Sequence, residues 1–321
     1  MNDTQTNLIC IGVDVAKDEV VVARDGETRV RSIKNAAAAL RGWLDTLPPQ
    51  SLIGVESTGN YHERLATLAH RAGMTVFVLN PRDVSHYASA LGRRAKTDRV
   101  DALLLARYVA REHTGLHAWQ PPTPQQRRLD SLLKRRATLV KAKGAMRQSL
   151  SCLGVLKAET GAALGALDKL LAAIDREIER TLAVHPAGDH AARLRSIPGI
   201  GLLSGAALVN LFGRLPDARA DAVVAFVGLD PRPHDSWRKR GTRRLSKRGS
   251  GEPRRLLFNA VMSAAKTRAW KPYYDRERAK GLASTAALVC LARRLLRLAF
   301  TLFQSGARFD PGKLQIAWQE P

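Results

Sequence analysis

Between residues 8 and 79 the chain sets short β-rich runs, turns and helical stretches in an order that few folds can use. Residues 8–13, LICIGV, form a β-rich run that ends at Asp14. Residues 20–24 and 28–33 read as two further strands, with Asp25-Gly26 as the hairpin turn between them. An Ala-rich helix then starts at Asn35, runs to about Leu47 and stops at Pro48-Pro49. Residues 52–55 make a fourth strand that delivers Glu56 at its end. Ser57-Thr58-Gly59-Asn60 turns the chain into a helix reaching about Ala72. Residues 75–79 are a fifth strand, and Pro81 opens another helix.

Three hairpin-like strands followed by strand and helix in alternation predict an α/β domain of the RNase H-like (RuvC-like) kind. In that order the first and fourth strands are neighbours, which brings Asp14 and Glu56 together. Lys96-Thr97-Asp98-Arg99-Val100-Asp101-Ala102 then opens a helix to about Arg111, with Asp98 and Asp101 at i and i+3 on one face. Taken singly, Asp14 could be a turn residue and Asp98 a helix N-cap. Four converging carboxylates instead suit Mg²⁺, which takes oxygen ligands and keeps exchangeable water. Two such ions, for which Mn²⁺ may substitute, can polarise a phosphodiester. His62 and His86 read as packing or surface residues.

The stretch around Pro121-Pro122 marks a boundary. Beyond it Leu132, Leu139, Met146 and Leu153 recur every seven residues, the pattern of a long coiled-coil helix. Leu164, Leu167, Leu171, Ile174, Ile178 and Leu182 make its return partner, so an antiparallel hairpin is expected. The expected organisation is 1–113, the carboxylate domain; 114–190, the helical spacer; 191–306, a mostly α C-terminal domain; and 307–321, a frayed tail. Within the third part, Ser196-Ile197-Pro198-Gly199-Ile200-Gly201 before a helical run reads as a helix-hairpin-helix element. Backbone N–H groups at Gly199 and Gly201 would approach a DNA phosphate there; a plain glycine-rich connection is the alternative.

Charge narrows the partner. The net charge is +23, and residues 231–256 carry ten Arg or Lys against two acids, Asp235 and Glu252. So many like charges imply a polyanion, with nucleic acid ahead of an anionic membrane surface. Inside this loop lies Ser246, set among Arg243, Arg244, Lys247 and Arg248, with Arg254 and Arg255 on the helix that follows. Ser250 is the rival nucleophile and Ser236 a distant third. Cys10, Cys152 and Cys290 are far apart and lack metal-ligand spacing, as in a reducing compartment. The polar start MNDTQTN is no secretory signal, and no apolar run approaches the roughly 18 residues of a membrane span. A cytoplasmic protein without membrane contact is expected.

The ordered set GVDVAK, GVESTGNY, KTDRVDA, IPGIG, GLDPRP and LSKRGSGEPRRLL resembles the DEDD transposases of bacterial insertion sequences, the IS110 family, which includes the Piv-type DNA invertases. The resemblance runs from about Leu8 to Gln304. It implies metal ligands at Asp14, Glu56, Asp98 and Asp101, and a nucleophilic serine at Ser246 in a Ser-Lys-x-Gly pattern. It further implies cutting and rejoining of DNA through a phosphoserine link, a site drawing on two domains, a structured non-coding bridge RNA as guide, and a homo-oligomer, dimer or tetramer. Gly251-Glu252-Pro253 departs from the more basic or polar helix start common in the family. Two other readings compete: a hydrolytic RuvC-like nuclease or Holliday junction resolvase that ignores Ser246, and a non-enzymatic nucleic-acid-binding protein.

Overall fold

A computed structural model describes residues 8–57, 59–92, 97–215, 217–232, 244–249 and 251–316. The chain divides into two compact units, residues 1–121 and 122–321.

The first unit is a mixed sheet with helices. Its elements are β1 (Cys10–Val15), β2 (Glu19–Arg24), β3 (Val30–Lys34), α1 (Ala37–Leu44), β4 (Leu52–Glu56), α2 (His62–Arg71), β5 (Thr75–Leu79), α3 (Pro81–Ala90) and α4 (Asp98–Glu112). The strands lie in the order β3-β2-β1-β4-β5. β2 runs antiparallel to β1 and β3, while β4 is parallel to β1 and β5. Alternating Val and Ile build the core on both faces, with Val13, Val20, Ile53 and Val55 wholly buried. Asn35 does not start α1. Its side-chain amide donates instead to Ala16 O at 2.9 Å, and the helix begins two residues later.

The second unit is mostly helical: α5 (Pro124–Leu150), α6 (Lys157–Ala183), α7 (Gly188–Leu194), α8 (Leu202–Phe212), α9 (Ala220–Val227), β6 (Pro231–Arg232), β7 (Arg244–Leu245), α10 (Gly251–Ala264), α11 (Lys271–Ala279), α12 (Ser284–Ser305) and α13 (Pro311–Ile316). Thr123 caps α5 through a full capping box with Gln126. Helices α5 and α6 pair antiparallel, as their cross-links require: Arg128 to Glu177 at 2.6 Å, Arg136 to Asp175 at 2.5 Å, and Lys143 to Asp168. Three of the cations that load α5 are thus spent on its own partner helix. Only the base of this hairpin joins the core, through Leu129, Leu133, Ile178 and Leu182. Helix α8 is apolar all round, and every residue from Ser204 to Phe212 is buried at the centre of the unit. The C-terminal segment expected to fray carries α13 instead, because Leu314, 6% exposed, reaches the same core.

Candidate active site

Chemistry-bearing side chains gather at one place in each unit. In the first, Asp14 lies in β1 and Glu56 ends β4. The two strands pair Gly12 with Gly54 and Val13 with Val55, so the next step sets Asp14 beside Glu56. Alternation puts both carboxylates on the face of the two glycines. That face is where α4 lies. A Cβ on Gly12 would stand 2.1 Å from Ala102 O and 2.2 Å from Ala106 N, and one on Gly54 would stand 2.3 Å from Val109 Cγ2. Without side chains at these two positions, the helix backbone comes down onto the strands.

The seated helix brings its first turn to the carboxylates. Thr97 is the N-cap, its Oγ1 accepting the Val100 N–H at 3.3 Å, which leaves Asp98 and Asp101 inside the first turn. There their charge complements the helix dipole. Arg99 Nη2 donates to Thr28 O at 2.9 Å and ties this turn to the β2–β3 connection. Burial, then Asp98, Asp101 and Glu56 in that order, pushes the Asp14 carboxyl up to about 6. The four predicted residues therefore share one electrostatic neighbourhood. His62 is buried and His86 exposed, as packing and surface residues would be.

All four donors are carboxylate oxygens, which is the ligand chemistry of a hard divalent cation. The repulsion felt by Asp14 is what such a charge would relieve. Among the described residues, no three acidic, His or Cys side chains stand close enough as placed to hold an ion. The fit is thus one of donor type and shared face.

In the second unit Ser246 follows β7, which pairs antiparallel with β6 through Pro231 with Leu245 and Arg232 with Arg244. Ser246 N–H donates to Asp230 O at 3.0 Å, and Lys247 N–H to Gly228 O at 3.1 Å. The loop is pressed against the end of α9. A Cβ on Gly228 (φ +74°) would meet Arg248 O at 2.3 Å, and one on Gly249 (φ +70°) would meet Phe226 O at 2.3 Å. Lys247 itself takes φ +50°, unusual for a side-chain-bearing residue. Arg254 Nη1 clamps the arrangement from α10, donating to Val227 O and Arg248 O, both at 2.7 Å. Ser246 is 4% exposed, and its Oγ donates to the Asp230 carboxylate.

Around this serine, Arg244, Lys247 and Arg248 are exposed. Arg255 is held in a two-point pair with Glu252 at 2.6 and 2.8 Å, so the acid at the start of α10 is neutralised locally. A cleft of about 440 Å³ lined by Lys134, Lys141, Glu252 and Arg255 runs between α10 and α5. Arg243, Ser236 and Ser250 lie outside the described residues. Gly199 and Gly201 diverge. At Gly199 (φ +98°) a Cβ would meet Ala260 O at 2.6 Å, so this glycine packs on α10, whereas Gly201 caps α8 with open space beside it. Sequence reasoning missed Gly12, Gly54 and Asp230. All three stand in quoted motifs: a glycine two residues before each carboxylate, and the acid of GLDPRP.

Carboxylates sharing one strand–helix face, and a buried serine in a cation-rich loop, suit chemistry on a polyanion. The family comparisons give the class: a transposase or site-specific recombinase. A model of DEDD-type IS110 transposases matches residues 11–157, and a model described as "Transposase IS116/IS110/IS902 family" matches residues 191–275. The chain is 30% identical over 270 residues to the pilin gene-inverting protein of Moraxella bovis, covering 80% of this chain and 81% of that one. It is 26% identical over 289 residues to the transposase for insertion sequence element IS1111A of Coxiella burnetii, covering 78% and 76%. The chain belongs to the IS110 family of transposases. DNA is accordingly its partner, and among the described residues no helix is long and apolar enough to cross a membrane.

Proposed function

We propose that this transposase cuts and rejoins DNA through a covalent link to Ser246, assisted by the carboxylates of an RNase H-like unit. The setting of Ser246 carries the reading: a serine bonded to a carboxylate, in a loop braced by two positive-φ glycines and ringed by exposed cations. Lys247, the next residue, takes a positive φ that is costly for a side chain, and such strain is typical of functional sites. Ser246 Oγ attacks the scissile phosphate and forms a phosphoserine, so the bond energy is kept for rejoining. Arg244, Lys247 and Arg248, with Arg243, hold the flanking phosphates. Arg254, spent on carbonyls, holds the loop and lends its charge.

Asp14, Glu56, Asp98 and Asp101 are the ligands for Mg²⁺ or Mn²⁺, which when bound balances charge on the phosphate oxygens. The Gly201 N–H donates to Ser204 Oγ at 3.0 Å, so the N–H groups that follow it at the start of α8 are the further phosphate contact, in the manner of a helix-hairpin-helix element. Rejoining rather than hydrolysis accords with the similarity to a gene-inverting protein, since inversion ends in rejoined DNA. A structured guide RNA and a dimer or tetramer complete the proposal, on the strength of the family resemblance.

One observation favours the hydrolytic reading: Ser246 is almost wholly buried, as a structural serine would be. Recombination between paired element ends separates the two. Asp14→Asn, Glu56→Gln, Asp98→Asn, Asp101→Asn and Ser246→Ala are each expected to lower it at least about 100-fold while DNA retention persists. Strand cleavage surviving in Ser246→Ala would favour the nuclease.

A further inference from the structure

Asp230 stands in none of the roles above, yet it holds the atom on which the proposed chemistry turns. Its carbonyl oxygen accepts the Ser246 N–H at 3.0 Å, and its carboxylate Oδ1 accepts the hydrogen of Ser246 Oγ. The Arg248 N–H approaches the same Oγ from another side at 3.4 Å. β6 and β7 fix this meeting, because their pairing at Pro231 and Leu245 continues directly into the Asp230–Ser246 step. Gly228 fixes the other end, since its left-handed turn ends α9 two residues before Asp230 and takes the Lys247 N–H. Backbone on both sides thus aims one carboxylate at one hydroxyl. An alcohol is a weak nucleophile until a base within hydrogen-bond reach takes its proton.

We infer that Asp230 is the general base that activates Ser246, an inference that rests on the serine reading above. As Ser246 Oγ bonds to phosphorus, its proton passes to Asp230 Oδ1. The phosphorus–oxygen bond to the departing deoxyribose breaks, and that oxygen leaves as a hydroxyl after taking a proton from solvent. In rejoining, a deoxyribose hydroxyl attacks the phosphoserine and loses its proton to solvent, and the Oγ–P bond breaks. Asp230 then returns its proton to Oγ. No oxidant, reductant or further reactant is required, and the Arg248 N–H supports the charge that develops on Oγ.

The test is the single-turnover rate of protein–DNA adduct formation with full-length protein, Mg²⁺ and the element's own ends and transcript. Wild type, Ser246→Ala, Asp230→Asn and Asp230→Ala are compared, with DNA affinity and melting temperature measured for each. The expected result is no adduct in Ser246→Ala and a loss of about 100-fold in both Asp230 variants at unchanged DNA affinity. Added formate, a small carboxylate able to occupy the vacated space, is expected to restore Asp230→Ala at least tenfold. An adduct rate within threefold of wild type in folded Asp230→Asn, or no restoration by formate, overturns the base role and leaves the serine reading standing. Loss of folding in both Asp230 variants assigns the residue to loop stability and overturns it too. An adduct that persists in Ser246→Ala instead overturns the serine reading itself.

Discussion

At the residue scale the first unit is built against its own stability at Asp14. Its folded carboxyl is raised to about 6 by burial and three acidic neighbours, so the folded chain holds that proton more tightly than the unfolded chain does. The sign follows: ionisation of Asp14 costs stability as pH rises from about 4 through 6, and the cost persists above. In chelated protein at pH 7.5, Asp14→Asn is expected to raise the melting temperature by a few degrees while recombination is lost. The advantage should shrink as pH is lowered toward 4, and a variant that melts below wild type at pH 7.5 would contradict this. Asp14 and Glu56 were legible because acids at the ends of β-rich runs have few other uses, and Asp98 and Asp101 because i, i+3 spacing sets them on one helical face. The cap was not: Thr97 and Asp98 are both good N-caps, and only the hydrogen bond to Val100 decides between them. Asp230 escaped for a similar reason, since an acid before proline in a basic stretch reads as a turn residue.

At the element scale, the carboxylate cluster depends on how closely α4 lies on β1 and β4. Gly12→Ala would put a methyl group 2.1 Å from the Ala102 carbonyl, backbone that cannot rotate away. It is expected to destabilise the unit by about 3 kcal/mol and to depress recombination by lifting Asp98 and Asp101 from Asp14. Gly42→Ala is the matched control, a site on α1 with nothing within 4 Å, and should be neutral or slightly stabilising. Equal thermal melts for the two variants would contradict this close seating of α4 on the strands. Strands and long helices were readable from β-branched runs and heptad leucines, whose periods dominate locally, although the last heptad member, Leu153, lies past the end of α5 and is 44% exposed. The use of charge was not readable. A stripe of cations on α5 looks the same whether it faces solvent, nucleic acid or the acids of α6, and pairing of Arg128, Arg136 and Lys143 needs the fold. Helix α13 was hidden because one buried leucine, Leu314, anchors it.

At the scale of the whole molecule, a net charge of +23 predicts DNA retention that is independent of the carboxylates and steeply salt-dependent. A variant carrying Asp14→Asn, Glu56→Gln, Asp98→Asn and Asp101→Asn together should bind DNA at least as tightly as wild type, with the same slope of log affinity against log salt. Loss of binding in that variant would mean that the carboxylates hold DNA as well as act on it. The central claim is narrower: one serine becomes bonded to DNA. Its most direct test is to quench the reaction of wild-type protein with Mg²⁺, element ends and transcript, isolate protein–DNA species on a denaturing gel, and sequence the modified peptide by mass spectrometry. A nucleotide phosphate is expected on Ser246, and none on Ser250 or Ser236. Cleaved DNA with every serine unmodified, or the phosphate on another residue, would contradict it.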